Sequence, residues 1–132
     1  MDSITESTLA DVLEQLASAC PEFAGAVVAT RDGLVLASVG NYQGDAPAAC
    51  AASLSVHLQD DLQALGADSH PPVLAEALIF GDHMLWYLRC LAAGHVLLVG
   101  SRQTIHAGAL RLAGQTASLR LNGWLAGPGS PD

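Results

Sequence analysis

Apolar positions along this chain change period several times, and each change marks an element. Leu9, Val12, Leu13, Leu16 and Cys20 recur at helical spacing and predict a first helix. Ser3–Glu6 and Thr8–Asp11 both read as capping boxes at its start, and Pro21 reads as its stop. The stretch GAVVATRDGLVLASVG, residues 25–40, then reads as a hairpin around Asp32-Gly33, a dipeptide favoured in two-residue turns. Closing the hairpin there sets Ala29 opposite Leu36, Val28 opposite Ala37 and Val27 opposite Ser38. A hairpin with one wet face alternates apolar and polar residues, whereas this one is apolar on nearly every position of both faces. Both of its faces therefore need a cover.

A second helix follows, with Asp45 as its cap, Pro47 in its first turn and Gly66 as its end. Its residues sort into three stripes. Ala51, Leu54, Leu58, Leu62 and Leu65 form a large apolar stripe suited to docking on a sheet. Ala48, Ala49, Ala52 and Val56 form a flanking stripe of small groups that lets another helix approach closely. Cys50, Ser53, His57, Asp60 and Asp61 form a third, polar face.

Strand-like residues return from Val73. A second hairpin around Gly81-Asp82 pairs Ile79 with Met84, Ala77 with Trp86 and Ala75 with Leu88 on an apolar face. Leu78 with Leu85, Glu76 with Tyr87 and Leu74 with Arg89 share the other face, where Glu76 and Arg89 are diagonal neighbours able to pair. A turn at Ala92–Gly94 leads to a fifth strand, HVLLVG. A third helix closes the domain, with Ile105, Ala109, Leu112, Thr116 and Leu119 expected inward and Arg111, Gln115, Ser118 and Asn122 outward. Gly108 and Gly114 within it suggest close packing or a break. The order is α-β-β-α-β-β-β-α. Short connections between neighbouring strands imply an antiparallel sheet, and three helices suffice to cover both of its faces. The fold class is α+β, with residues 1–126 forming one domain and residues 127–132 a disordered tail.

Charge and composition narrow the chemistry. A net charge of −8, with five arginines and no lysine, argues against nucleic-acid binding. The missing lysine also excludes a standard P-loop nucleotidase and any lysine Schiff base. No Gly-x-Ser-x-Gly elbow and no Gly-x-Gly-x-x-Gly is present. Cys50 and His57 share a helix face but amount to half a zinc site, so no metal or cofactor is expected. Cys20, Cys50 and Cys90 lack disulfide-like spacing and read as free thiols of a cytoplasmic protein. The acidic, polar start does not read as a signal peptide, and no apolar run is long enough to span a bilayer. With no catalytic constellation, the product of this fold is a surface and not an active site.

Three stretches resemble the roadblock family, named for dynein light chains and common in bacteria. GAVVATRDGLVLAS is similar to its first hairpin, AACAASLSVHLQDDLQALG to its central helix, and LIFGDHMLWYLRCLAAGHVLLVG to its closing three strands. The resemblance spans residues 5 to about 125. It implies a five-stranded sheet in the order 2-1-5-4-3, with the second helix on one face and the first and third on the other. It further implies a homodimer made by pairing the third strand and packing the second helix against their mates. On this chain that interface falls on Ala49, Ala52, Val56, Leu74, Glu76 and Leu78. Bacterial members regulate or scaffold small Ras-like GTPases, so the resemblance implies a GTPase partner, which the polar face Cys50, Ser53, His57, Asp60 and Asp61 would bind. Two further readings stand beside this one: a small-ligand sensor with Trp86 and Tyr87 lining a pocket, and a structural subunit of a larger complex.

Overall fold

The computed structural model describes residues 2–66, 70 and 72–126, with only the backbone described for residues 2–8. The expected tail, residues 127–132, lies outside the described residues. Helix α1 (Asp2–Ala19) begins ahead of both expected capping boxes, which therefore sit inside it, and it ends just before Pro21. Leu9, Val12, Leu13, Leu16 and Cys20 are all buried, as their spacing requires.

Strands β1 (Phe23–Ala29) and β2 (Val35–Gly40) form the first hairpin. Val27–Ser38 and Val28–Ala37 pair as expected, but Ala29 pairs with Val35 across a bulge, not with Leu36. The Gly33 N–H donates to Thr30 O at 3.0 Å, and the Thr30 N–H donates to Leu34 O at 2.9 Å. Gly33 sits at φ +88°. The connection is thus a three-residue loop closed by a left-handed glycine, not a two-residue turn.

Helix α2 (Asp45–Leu65) has Gly44 at its N-cap, so Asp45 is its first helical residue and not its cap. Its inward face also differs from the expected one. Ala48, Ala51 and Ala52 are buried, Leu54, Leu58 and Leu62 are half-buried, and Leu65 is 81% exposed. The face toward the sheet therefore combines alanines from one expected stripe with leucines from the other. Alanines at the contact let the helix backbone lie close to the strands.

Strands β3 (Glu76–Phe80) and β4 (Leu85–Cys90) form the second hairpin. The Gly81 N–H donates to Met84 O at 2.8 Å, which makes Asp82-His83 the turn centre in place of Gly81-Asp82. The pairs are Glu76–Arg89, Ala77–Leu88, Leu78–Tyr87, Ile79–Trp86 and Phe80–Leu85, two residues away from the expected register. A two-residue shift leaves every side chain on its expected face, because the strand period is two. It also brings Glu76 directly opposite Arg89. After a short 3-10 turn at Ala92–Gly94 comes β5 (Val96–Ser101), and then α3 (Ala107–Leu125).

The sheet is antiparallel in the order β2-β1-β5-β4-β3. Helices α1 and α3 cover one face, over Val28, Leu85, Tyr87, Leu97 and Val99. Helix α2 covers the other, over Val27, Leu88, Val96 and Leu98. β5, at the centre, is buried at every position. Cover on both faces explains why β1 and β5 are apolar runs with no alternation.

Helix α3 is rolled over relative to expectation. Leu110, Ala113, Gly114, Ala117, Ser118 and Leu121 face inward, while Ile105, Leu112 and Leu119 are 82%, 64% and 76% exposed and Ala109 and Thr116 are exposed with them. The cause lies in the sheet. The fully buried Tyr87 ring lies against Gly114, where a Cβ would overlap it. Polar side chains fix the same roll. Asn122 Oδ1 accepts the Ala92 N–H at 2.8 Å, and Arg111 and Gln115 reach Glu76.

Candidate functional site

Among the described residues no three histidines, cysteines or carboxylates converge as they would around a metal. The polar side chains of most chemical interest lie instead on the outer surface of α2. Cys50, Ser53, His57, Asp60 and Asp61 are all exposed there, as their spacing required. The His57 ring is held along the helix: its Nδ1 lies 2.8 Å from Ser53 O and 3.2 Å from Ser53 Oγ. Val56, 43% exposed, and Ala49 lie on the same outer surface.

The sheet ends beside this helix. β3 is an edge strand, paired only with β4, so its outer backbone groups have no strand partner among the described residues. Between α2 and this edge lies an apolar hollow of about 530 Å³, lined by Tyr42, Cys50, Leu54, Ile79, Trp86 and Leu98 among others. α2 is centred over β1 and β5, which among the described residues leaves the β3 end of this face without helix cover.

Tyr42 forms the floor of the hollow. Gly25 and Gly100 face each other on neighbouring strands, and the Tyr42 ring lies across both. A Cβ on Gly25 would come within 2.8 Å of the ring. The Tyr42 hydroxyl accepts the Trp86 Nε1–H at 2.7 Å, so the two rings brace one another across the sheet. Burial pushes the Tyr42 phenol up from its ordinary value, partly offset by the Trp86 hydrogen bond. The sequence carries a signal for this brace only when the two glycines are placed on adjacent strands. Gln59, another residue that spacing alone does not single out, ties α2 to the approach to β3: its Oε1 accepts the Leu74 N–H at 2.6 Å and its Nε2 donates to Pro72 O at 2.9 Å.

The remaining residues assigned from sequence are dispersed. Ala52 is 5% exposed and Leu74 7%, both buried within the protomer. Leu78 packs toward the α1/α3 face. Glu76 is the hub of a charged cluster on that face. It accepts hydrogen bonds from the Tyr87 hydroxyl at 2.7 Å, from Arg89 Nη1 at 3.1 Å and from Arg111 Nε at 3.0 Å. The Arg111 and Tyr87 hydrogen bonds, against a smaller opposing effect of burial, hold the Glu76 carboxyl down at about 2. Burial, and then the hydrogen bond to Glu76, pushes the Tyr87 phenol up to about 12. Trp86 and Tyr87 thus lie on opposite faces of the sheet and do not line one pocket. The cysteines are unpaired, with Cys20 buried, Cys50 exposed and Cys90 half-buried. No described helix is long and apolar enough to cross a membrane.

No protein-family model and no curated protein sequence matches the chain. Solved structures do match over most of its length. A Roadblock/LC7 domain from Streptomyces avermitilis superposes with a TM-score of 0.78 at 19% identity, covering 88% of this chain and 96% of that one. The gliding protein MglB from Thermus thermophilus superposes with a TM-score of 0.77 at 21% identity, covering 91% and 90%. A structure of MglB in a tetrameric arrangement gives 0.77 at 21% identity, covering 91% and 89%. Strand order, the placement of the helices and these superpositions agree: the chain has the roadblock fold, shared with Roadblock/LC7 domains and MglB.

Proposed function

We propose that the protein is a non-catalytic homodimeric adaptor that binds a small Ras-like GTPase through the outer face of α2. The observation that carries this reading is the apolar hollow between α2 and the open edge of β3. An uncovered apolar edge strand invites further strand pairing and is normally covered. A two-fold mate would extend the sheet through β3 and cover the hollow, with its own α2 crossing this one over the exposed Ala49 and Val56. Ala52, Leu74, Glu76 and Leu78 would then support the interface from within the protomer, and the β3 backbone would supply its hydrogen bonds. That MglB has been found in a tetrameric arrangement supports self-association of this fold.

In such a dimer, two copies of Cys50, Ser53, His57, Asp60 and Asp61 form one acidic platform. Acidic groups suit a basic patch on the partner, and association through them weakens as salt rises. The GTPase itself is what the roadblock resemblance of the sequence implies. A ligand-sensing role would draw support from polar groups converging in a closed pocket, whereas the hollow beside Trp86 is open and apolar.

Two measurements test the proposal. Light scattering at low micromolar concentration should give twice the chain mass, and Ala49→Arg combined with Val56→Arg, both exposed in the protomer, should halve it. Titration with a Ras-like GTPase from the same genome, loaded with a non-hydrolysable GTP analogue or with GDP, should show saturable binding. Asp60→Lys with Asp61→Lys should weaken that binding about tenfold or more while the dimer persists. A monomeric wild type would reject the dimer, and a failure of every such GTPase to bind would reject the functional class.

A further inference from the structure

Helix α3 is apolar on two sides, and only one of them is used by the core. The other carries Ala109, Leu112, Thr116 and Leu119, all exposed, with Ile105 just ahead of the helix on the same line. Leu112 at 64% and Leu119 at 76% are large apolar side chains left open to solvent. Their intervals alternate between three and four residues, the 3.5-residue repeat that packs against one further helix. Alongside, between α3 and α1, runs a groove of about 290 Å³ lined by Val12, Leu16, Ala109, Leu112 and Thr116 among others.

Charge identifies what fits there. From Arg102 to Ala126 the chain has no aspartate or glutamate, although its net charge is −8. Among the described residues Arg89 and Arg111 share a single carboxylate, Glu76, so this trio carries a net positive charge. Arg120, on the groove, donates to the neutral amide of Gln15. Among the described side chains, the exposed acids nearby, Asp11 and Glu14, belong to the neighbouring helix α1. This orients an incoming helix with its carboxylates toward α3.

We propose that the α3 face is a docking site for an acidic amphipathic helix of another protein. Its leucines seat between Leu112 and Leu119 and over the groove, and its carboxylates meet Arg111 and Arg120. A second copy docking through the same seam would set these arginines against each other, so a partner of opposite charge fits better. The site lies on the opposite side of the sheet from α2 and does not depend on the GTPase reading.

The test uses a labelled synthetic helix of about three heptads with leucine at the core positions and glutamate beside them, and a lysine counterpart. Fluorescence anisotropy with the full chain should show saturable binding of the glutamate peptide, weakening as salt rises. The lysine peptide should bind about tenfold more weakly or less. Leu112→Glu with Leu119→Glu, and separately Arg120→Glu, should each reduce glutamate-peptide binding by about tenfold, with circular dichroism unchanged because all three residues are exposed. Absence of binding, equal binding of the two peptides, or undiminished binding by the folded variants would overturn the proposal. So would a fall in the mass of the wild-type assembly on introducing Leu112→Glu, since that assigns the seam to self-association.

Discussion

The two faces of the sheet are filled in different ways. Under α1 and α3, large side chains such as Leu13, Leu85, Tyr87, Leu110 and Leu121 are fully buried, and at the margin the Glu76 carboxylate is held by four side chains, Tyr87, Arg89, Arg111 and Gln115. Under α2, the fully buried helix residues are alanines, Leu54, Leu58 and Leu62 are half-buried, and an open hollow remains beside β3. The first face is a finished core. The second is a docked helix with apolar surface to spare, and large exposed apolar patches mark interaction sites. Packing beneath the helices is therefore tighter on the α1/α3 side of the sheet than on the α2 side.

The largest expected effect comes from truncating the closed face. Leu13→Ala, at a fully buried position, should cost about 2–5 kcal/mol, whereas Leu54→Ala on the half-open face should cost less than about 2 kcal/mol. Urea denaturation at one fixed protein concentration measures both, and equal losses would erase the proposed asymmetry.

Next comes the contact that sets the roll of α3. Gly114→Ala improves intrinsic helix propensity by about 1 kcal/mol, yet its methyl group would meet the Tyr87 ring, so a net loss of about 1–3 kcal/mol is expected. Gly108 is also in α3 but has open space around it, and Gly108→Ala should raise stability by up to about 1 kcal/mol. Opposite signs in thermal melts of the two variants would place the close contact at Gly114 alone.

A smaller effect sharpens the comparison through pH. The folded-state Glu76 carboxyl titrates near 2, below its ordinary value of 4.5. Its contribution is therefore complete above pH 4.5, shrinks as the pH falls below that value, and is gone once the pH passes below about 2. Glu76→Gln should lower stability at neutral pH and flatten the loss between pH 4.5 and 2. A wild-type curve no steeper there than that of the variant would remove Glu76 from the closed face's stability.

Much of this architecture was legible in the chain. The inward residues of α1, the doubly covered first hairpin and the polar outer face of α2 follow from local periodicity and turn chemistry. The strand order came from the roadblock resemblance and not from spacing. Local patterns also fixed which residues of each strand share a face, because a slip by an even number of residues preserves it, whereas the helix layer over each face came from the resemblance. They could not fix the register of the second hairpin, since Gly81 suits either the centre of the turn or its first position. Nor could they fix the roll of α3. That helix has apolar residues on both sides, and the decision rests on partners distant in sequence: Tyr87 against Gly114, Ala92 on Asn122 and Glu76 for Arg111. The Tyr42–Trp86 brace has the same origin, since it needs Gly25 and Gly100 side by side on strands far apart in the chain. Period and turn propensity act over a few residues and are written in the sequence. The choice between two apolar helix faces is made by shape and hydrogen-bond partners that exist only after the sheet has formed.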